Sequence, residues 1–312
     1  MVLQPTKYIW MDGKLVLWKN AKVHVLTHSL HYGSGVFEGI RCYNTIKGSA
    51  VFRLKEHVDR LFRSAKVVNM KVPFSKKQIS NAILKLLKKN KIKACYIRPI
   101  IFYGYGMMGL DIRKAPVNVA IIVWPWGKYL GESVKVKVSS FIRIHPYSTD
   151  ASAKITGHYI NSILAGLEAR KQGYHEALLL DYKGDVAEGP GENFFFIKNN
   201  LFKKKVDQKG KIKATIYTPK LGNILPGITR DAVKKIAKEL KLKVVEKDLH
   251  VNEIKKADEA FFTGTAAEIT PISKIDKTKL KIGPITKQIQ EKFYKIVNAQ
   301  DKKYIKWLSF VR

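Results

Sequence analysis

An amine, a phenol and a carboxylate lie in two neighbouring strings of the sequence, and a turn with backbone amides follows them. The amine is Lys154 and the phenol is Tyr159, in the string KITGHY. The carboxylate Glu188 lies in the glycine-rich string 187–193, AEGPGEN. The string 225–230, LPGITR, predicts a tight turn into a helix whose first N–H groups can bind an anion. Together these groups could condense with an aldehyde, pair with a charged ring and hold a phosphate.

This combination of groups fits pyridoxal 5'-phosphate (PLP). Its aldehyde condenses with an amine, and its phenolic oxygen accepts a hydrogen bond. Its ring nitrogen requires an acidic partner, and its phosphate suits the N-terminus of a helix. The residue types therefore predict a PLP site.

Other motifs for phosphate or metal binding are weaker. The string 104–109, GYGMMG, has the GxGxxG spacing, but Pro116 and the lack of a convincing helix after it argue against a dinucleotide site. No GxxxxGK[ST] string occurs. The histidines of the N-terminal region have no nearby carboxylate or cysteine to complete a metal site: His24, His28 and His31. We therefore predict no metal.

The elements that must position these groups alternate between strands and helices. Apolar, β-branched runs predict strands at 8–11 and 14–18 around an Asp12-Gly13 turn, and at 36–44, 94–103, 117–124, 134–138, 177–180, 193–197, 244–245 and 259–262. Amphipathic spacing predicts helices at 56–70, after a capping box at 75–78, around 160–167 and ending near Gly173, around 233–240 and around 285–296.

Proline and glycines in the string 124–132 predict a connection between domains. We predict a two-domain enzyme of mixed α/β (α+β) class. Its expected parts are a domain at 1–127, a loop at 128–134 and a domain at 135–312.

The net charge of +33 is the unusual bulk property of the chain. It permits an alternative function as a basic nucleic-acid-binding protein. Only ten of the 58 basic residues are arginines, whereas proteins that bind nucleic-acid bases and phosphates favour arginine. The lysines are also spread along the chain, for example at 88–89, 203–205, 234–235 and 255–256. We therefore expect no specific nucleic-acid partner.

Composition also limits the cellular setting. No run of about eighteen apolar residues occurs, so no membrane span is expected. The first residues, 1–8, are polar and lack the apolar stretch of a signal peptide. Two distant cysteines, Cys42 and Cys95, cannot form a disulfide framework. We expect reduced thiols and a cytoplasmic location.

Five strings resemble those of the branched-chain amino acid aminotransferases, which belong to the fold-type IV class of PLP enzymes. They are 31–41 (HYGSGVFEGIR), 96–99 (YIRP), 188–193 (EGPGEN), 225–230 (LPGITR) and 264–269 (GTAAEI). Each string alone would be weak, but their order and compatible spacing over nearly the whole chain are specific. The resemblance implies a small N-terminal and a larger C-terminal domain. It also implies transfer of the amino group of leucine, isoleucine or valine to 2-oxoglutarate.

The resemblance assigns roles around the cofactor. Lys154 would bond to the aldehyde as an imine and carry the proton. Tyr159 would hydrogen-bond the phenolic oxygen. Glu188 would face the ring nitrogen, although local sequence does not separate it from Glu192. Arg60 would bind the phosphate, with Arg63 one turn away as the alternative.

The remaining cofactor contacts come from the later strings. The resemblance implies that the amides of Ile228 and Thr229 bind the phosphate together with Thr265. Leu225 would press on the ring. Without the resemblance, each of these residues would be interpreted as a helix start, a turn or part of the core.

The resemblance also assigns substrate contacts. Tyr96 and the turn at Thr265 and Ala266 would hold the α-carboxylate, and Arg98 would receive the side-chain carboxylate of glutamate. An apolar pocket for the branched side chains would be formed by Phe37, Gly39, Tyr32 and Trp126. The expected partners are therefore amino acids and 2-oxo acids.

An oligomer and two alternative activities follow from the same comparison. In the family, the segment matching 103–110 reaches over the site of the partner subunit, so we expect at least a homodimer. The apolar residues Met107, Met108 and Leu110 suit a buried contact there. D-amino acid aminotransferases and aminodeoxychorismate lyases share the scaffold, but the strings 96–98 and 264–268 favour the branched-chain branch.

Overall fold

The structure is a computed structural model that describes residues 3–127, 130–199 and 214–312. Lys128 and Tyr129 of the predicted interdomain connection lie outside the described residues. The lysine cluster at 203–205 and the first two residues of the predicted polar N-terminus also lie outside them.

The described residues form strands and helices that alternate along the chain. The strands are β1 (Tyr8–Met11), β2 (Lys14–Leu17), β3 (Gly35–Phe37), β4 (Ile40–Thr45), β5 (Gly48–Phe52), β6 (Cys95–Tyr103), β7 (Val117–Trp124), β8 (Val134–Ile142), β9 (Glu176–Leu180), β10 (Asn193–Asn199), β11 (Ala214–Pro219), β12 (Lys243–Lys247), β13 (Glu259–Gly264), β14 (Glu268–Ile275), β15 (Thr278–Lys279) and β16 (Leu308–Phe310). The α-helices are α1 (His28–Tyr32), α2 (Leu54–Val67), α3 (Lys76–Asn90), α4 (Tyr159–Lys171), α5 (Ile228–Glu239), α6 (Val251–Ile254) and α7 (Pro284–Val297).

The chain divides into two compact units. The first consists of 1–127, 153–158 and 295–312, and the second of 128–152 and 159–294. The two units do not contain the same residues as the predicted domains, because the segments 153–158 and 295–312 pack with the first unit. The predicted domain boundaries concern which parts of the chain fold independently, and they stay a prediction.

An antiparallel sheet forms the core of the first unit. Its order is β16-β5-β4-β6-β7-β1-β2, and β3 also pairs with β6. The predicted hairpin at its edge is confirmed, since Tyr8 pairs with Leu17 and Met11 with Lys14. Asp12 and Gly13 both have positive φ, as a two-residue turn requires.

Helices α2 and α3 cover this sheet. The predicted capping box of α3 is confirmed: Ser75 Oγ accepts the N–H of Gln78 at 3.2 Å, and Gln78 Oε1 accepts the N–H of Ser75 at 2.7 Å. All five predicted apolar positions of α3 are buried: Ile79, Ala82, Ile83, Leu86 and Leu87. This pattern was readable from the sequence because the cap and the apolar face are local features.

The structure corrects some predicted boundaries. The strand predicted at 36–44 is two strands, β3 and β4, which pair with β6 in one continuous register on either side of Glu38 and Gly39. The helix predicted at 56–70 begins at Leu54 and ends at Val67, shortly before Asn69 adopts a positive φ. The strand predicted at 134–138 continues to Ile142. The sequence patterns also missed β5, β11, β14, β15 and β16.

A mixed sheet forms the core of the second unit. Its order is β12-β11-β10-β13-β14-β8-β9, and β15 pairs with β14. Strands β8 and β9 are parallel, whereas β10 and β13 are antiparallel. Three consecutive phenylalanines of β10 are fully buried: Phe194, Phe195 and Phe196. This rigid centre positions the loops at the strand ends.

Helix α4 exposes an apolar face. Its helical spacing was predicted correctly, and it ends near Gly173, which has a φ of 77°. Its small residues Ser162, Ala165, Gly166 and Ala169 are buried. Its large apolar residues are exposed instead: Ile160, Ile163, Leu164 and Leu167. Among the described residues, no helix is both long and apolar enough to cross a membrane.

Candidate active site

The first unit fixes the backbone of Lys154 on two sides. The N–H of Phe37 donates to Lys154 O at 3.0 Å, and the N–H of Lys154 donates to Ser64 Oγ at 2.9 Å. The flanking residues Ala153 and Ile155 belong to the hydrophobic core. Lys154 Nζ lies 5.0 Å from the centre of the Phe37 ring. The backbone of the half-buried Lys154 is therefore held by β3 and α2.

A close backbone approach holds the segment after Lys154. Gly33 ends α1 with a φ of 61°, and its carbonyl accepts the N–H of Gly157 at 3.0 Å. A Cβ at position 33 would lie 2.7 Å from Gly157 Cα. Thr156 Oγ1 also donates to Gly33 O at 2.6 Å. Only glycine permits this contact, since φ is positive and no space remains.

Arg60 lies in a buried charged cluster of the first unit. Its Nε and Nη2 donate to the Glu38 carboxylate at 2.5 and 2.9 Å. His57 Nδ1 lies 2.7 Å from Glu38 Oε2. Burial alone would raise the pKa of Glu38, but the charges and hydrogen bonds of Arg60 and His57 hold this pKa far below its usual range. Arg63, the alternative from the sequence, is exposed.

Aromatic side chains surround Arg98. The centre of its guanidinium lies 4.6 Å from the Phe37 ring, 5.5 Å from the Tyr96 ring and 5.8 Å from the Trp124 ring. The Trp126 ring lies 4.6 Å from that of Tyr96. These contacts place the guanidinium cation of Arg98 among aromatic rings, whose faces attract a positive charge.

Gly39 allows Tyr96 to reach this aromatic group. A Cβ at position 39 would lie 1.9 Å from the Tyr96 hydroxyl oxygen, so any side chain there would displace the phenol. Tyr32 lies apart from these contacts in α1, where it is exposed and its ring lies 4.4 Å from that of His28. The first unit therefore brings together five of the predicted residues: Phe37, Gly39, Tyr96, Arg98 and Trp126. Tyr32 instead contacts His28 within α1.

The second unit buries Glu188 among donors. Arg143 Nε donates to Glu188 Oε1 at 2.7 Å, and Asn193 Nδ2 donates to Oε2 at 3.0 Å. The N–H of Leu225 lies 3.2 Å from each carboxylate oxygen. Glu192 is buried as well, and its Oε2 accepts the N–H of Gly191 at 3.0 Å.

Strand β9 explains why Arg143 and Glu188 meet. The N–H of Arg143 donates to Leu180 O at 2.6 Å, and the N–H of Leu179 donates to Glu188 O at 2.9 Å. Both partners therefore flank the end of the same strand. The opposite charges offset part of the cost of burying them.

Asn193 connects Glu188 with the start of α5. Its Nδ2 also donates to Leu225 O at 2.9 Å. A Cβ on Gly227 would lie 1.9 Å from Asn193 Oδ1, so glycine is required for this packing. Gly227 precedes α5 without a side-chain cap hydrogen bond, so this residue does not occupy the first N–H groups of the helix. Such groups at a helix N-terminus can bind an anion.

Thr265 and Ala266 lie in the turn between β13 and β14 and are half-buried. A Cβ on Gly264 would lie 3.2 Å from Gly191 O, so this turn packs against the glycine-rich loop. Tyr159 is half-buried at the first position of α4. In the second unit, Leu225 and Asn193 are therefore joined to Glu188 by hydrogen bonds, and Tyr159, Thr265 and Ala266 lie in the same unit.

Sequence reasoning missed several neighbours of these residues. In the first unit Glu38 contacts Arg60, His57 contacts Glu38, and Ser64 contacts Lys154. In the second unit Arg143 and Asn193 contact Glu188. One signal was available, since Glu38 and Asn193 lie inside the matched strings. Arg143 gave little signal, because a charged residue at a strand end is usually solvated. No cluster of side chains that could hold a metal ion occurs among the described residues.

Comparisons with known proteins agree over nearly the whole chain. The family model for class IV amino-transferases matches residues 35–275. A branched-chain-amino-acid aminotransferase of Pseudomonas aeruginosa is 44% identical, and the match covers 97% of each chain.

Solved structures of the same kind of enzyme superpose closely. The branched-chain aminotransferase of Thermoproteus uzoniensis with norvaline has a TM-score of 0.92 and 42% identity, over 98% of this chain and 100% of that one. The branched-chain amino acid aminotransferase of Thermobaculum terrenum in its PLP form has a TM-score of 0.89 and 34% identity, over 99% of each chain. The fold-type IV architecture predicted from the sequence is thereby confirmed. The chain belongs to the class IV aminotransferases and, among them, to the branched-chain amino acid aminotransferases.

Proposed function

We propose that this enzyme transfers the amino group of L-leucine, L-isoleucine or L-valine to 2-oxoglutarate, giving branched-chain 2-oxo acids and L-glutamate. The observation that carries this proposal is the 44% identity to a named branched-chain enzyme over 97% of both chains. All five strings that suggested the family lie within this long match. A shared fold alone would be weaker support, because related folds carry different activities.

Pyridoxal 5'-phosphate is the proposed cofactor. The similar structure from Thermobaculum terrenum is a holo-form that contains PLP. The present residues fit such a group: an amine beside an aromatic ring, a buried arginine, a carboxylate held by three donors, and a helix start where no side chain has space. When bound, PLP supplies a reactive carbonyl and an electron-withdrawing ring.

Lys154 is the proposed catalytic residue. Its amine would hold the cofactor and move a proton to and from the substrate Cα. Two backbone hydrogen bonds, to Phe37 and Ser64, support this role because they restrict where the side chain begins. Tyr159 would donate to the phenolic oxygen of the cofactor.

Glu188 is proposed to face the ring nitrogen, and Leu225 to pack against the ring. Arg143 and Asn193 support this assignment, since they fix the carboxylate in one orientation. Glu192 contacts a local amide instead and remains the alternative.

The phosphate is proposed to bind Arg60, the N–H groups of Ile228 and Thr229, and Thr265. The burial of Arg60 favours it over the exposed Arg63. A helix start without a side-chain cap provides oriented donors and a favourable dipole.

The substrate is proposed to lie among the aromatic residues of the first string and β6. Phe37, Gly39, Tyr32 and Trp126 would shape the apolar pocket, while Tyr96 and Ala266 would hold the α-carboxylate. The aromatic surfaces around Arg98 support its proposed role in receiving the side-chain carboxylate of glutamate, because a guanidinium among apolar rings can bind a carboxylate without excluding an alkyl side chain. Apolar walls separate substrates by only about 1–3 kcal/mol per methylene, so we expect overlapping use of the three amino acids.

The enzyme is proposed to be at least a homodimer. Leu110 is 87% exposed, and the apolar face of α4 is also exposed. Contiguous exposed apolar side chains are a typical feature of protein interfaces. The cytoplasm is the proposed location, which two free, buried cysteines support.

One experiment tests cofactor and reaction together. We expect the purified protein to be yellow and its visible spectrum to change when L-leucine is added alone. Addition of 2-oxoglutarate should restore the first spectrum, and steady-state kinetics should be ping-pong. A spectrum that changes with D-alanine or with aminodeoxychorismate, but not with L-leucine, would instead identify one of the other class IV activities. A colourless protein that binds DNA with a steep salt dependence would contradict the enzyme assignment.

A further inference from the structure

We infer that Glu38 and His57 are positioning residues for Arg60, and that they orient its guanidinium for the phosphate of the cofactor. This inference rests on the proposed function, because it concerns how the proposed phosphate ligand is held. It adds two residues to which the sequence strings assigned no role.

The geometry of Glu38 leaves Arg60 little freedom. The carboxylate is 0% exposed and accepts Nε and Nη2 of the same guanidinium, at 2.5 and 2.9 Å. Such a two-point contact fixes both the position and the plane of the group. The backbone of Glu38 is fixed as well, since its N–H donates to Pro99 O at 2.9 Å. The orientation of Arg60 is therefore set by β6 through Glu38.

His57 supplies the third constraint. It lies one helical turn before Arg60 on α2, so both side chains reach the same carboxylate. Burial lowers the pKa of His57 below its ordinary value of 6.5, although the Glu38 carboxylate acts in the opposite direction. A neutral imidazole can donate Nδ1–H to Glu38 without adding a charge. The cluster then contains one buried anion and one buried cation, which is the arrangement that burial tolerates best.

The same face of α2 also serves Lys154. Ser64, which accepts the N–H of Lys154, lies one turn after Arg60. Glu38 lies between Phe37, which contacts Lys154, and Gly39, which accommodates Tyr96. Removing the Glu38 carboxylate would release Arg60 while leaving the backbone contacts of Lys154 in place. The effect should therefore appear in phosphate recognition.

The test compares two ligands that differ only in the phosphate. Apoenzyme of the wild type and of Glu38→Gln is titrated with PLP and with pyridoxal, and binding is followed by tryptophan fluorescence. We expect the Kd for PLP to rise by about tenfold or more in Glu38→Gln, with little change for pyridoxal. Stabilisation of the apoenzyme by inorganic phosphate alone, measured by thermal unfolding, should weaken in parallel.

Glu56→Gln is the matched control. Glu56 also lies on α2 and pairs with a buried arginine, since Arg53 Nε lies 2.6 Å from its carboxylate. This variant should bind both ligands like the wild type. If Glu38→Gln does not fold, His57→Leu tests the inference instead. This variant removes one hydrogen-bond donor to Glu38 and leaves the Glu38–Arg60 contact. Its PLP affinity should fall by about threefold or more, again without a change for pyridoxal.

Two outcomes would overturn the inference. One is unchanged PLP affinity in folded Glu38→Gln or His57→Leu, and the other is an equal loss for PLP and pyridoxal. Wild-type apoenzyme that does not bind PLP would refute the proposed function itself.

Discussion

At the residue scale, chemistry in this chain depends on how charged groups are buried together. Arg60 and Arg143 each lie against a buried carboxylate, Glu38 and Glu188 respectively. An isolated buried charge would be costly, whereas a hydrogen-bonded pair can hold a fixed orientation. The proposed cofactor residues therefore gain their precision from neighbours that would not touch the substrate.

Lys154→Ala should abolish amino transfer. The amine has no substitute at this position, and we expect the turnover number to fall at least about 10²–10⁴-fold. The visible absorbance of the protein-bound cofactor should disappear at the same time, which an absorption spectrum checks. Lys47→Ala, at an exposed position of the same unit, is the control and should retain both properties. Full activity in the Lys154 variant would contradict its catalytic role.

Acidification should destabilise the protein partly through His57. The folded-state pKa of His57 is lowered from 6.5, so the unfolded chain takes up a proton more readily. Its contribution to stability is present above pH 6.5 and is lost as the pH falls below that value. Glu38 acts in the same direction at lower pH, below its ordinary value of 4.5.

Chemical denaturation at about pH 7.5 and about pH 5.5 measures the His57 contribution, because the two values lie on either side of the ordinary histidine pKa. The wild type should lose about 1 kcal/mol more of unfolding free energy over this interval than His57→Leu. An identical pH dependence in both proteins would show that His57 does not carry this linkage.

At the element scale, the packing at the start of α5 depends on a glycine, Gly227, which has no side chain. Gly227 leaves space for Asn193, which in turn binds Glu188 and the carbonyl of Leu225. The turn, the carboxylate and the helix start are therefore one packed arrangement. A change at the turn should affect all three.

Gly227→Ala should destabilise this arrangement. The new Cβ would lie 1.9 Å from Asn193 Oδ1, so the side chain of Asn193 must move. We expect a loss of about 1–3 kcal/mol in unfolding free energy and weaker PLP binding. Denaturant unfolding and apoenzyme titration measure the two effects. Gly191→Ala is the control, because a Cβ there has no atom within 4 Å; equal losses in both variants would argue against the packing explanation.

At the scale of the whole molecule, the surface combines a high positive charge with exposed apolar positions. The net charge is +33, and 48 of the 58 basic residues are lysines. Such a charge attracts polyanions at low salt and is screened near physiological ionic strength. The positive charge does not explain the exposed apolar face of α4. We propose that a second copy of the chain covers this face.

Ile163→Lys combined with Leu167→Lys should weaken the oligomer. Both positions are exposed on α4, so the substitutions should cost little in the fold of one chain. Two lysines on each copy would place like charges at a formerly apolar interface. Sedimentation velocity should show a shift towards the monomer. Lys171→Ala on the same helix should not change the sedimentation coefficient, and a doubly substituted protein that stays dimeric would exclude α4 from the interface.

The sequence by itself determined the local features and the family of this protein. The capping box and apolar face of α3, the Asp12-Gly13 hairpin and the five ordered strings depend on neighbours within a few residues, so they can be read directly. The interruption between β3 and β4 at Glu38 and Gly39 was missed, because it lies opposite Pro99 of β6, which is distant in the sequence and has no N–H for strand pairing.

Only the tertiary structure decided which of Arg60 and Arg63 is buried, and which partners surround Glu38 and Glu188. Both arginines fit the same helix, and only the packing of α2 against β3 and the contact of Arg60 with Glu38 separate them. The exposure of the large residues of α4 was equally hidden, since an apolar helical stripe looks the same whether it faces a core or another chain. Contacts between distant residues set burial and charge pairing, and one sequence taken alone does not contain those distances.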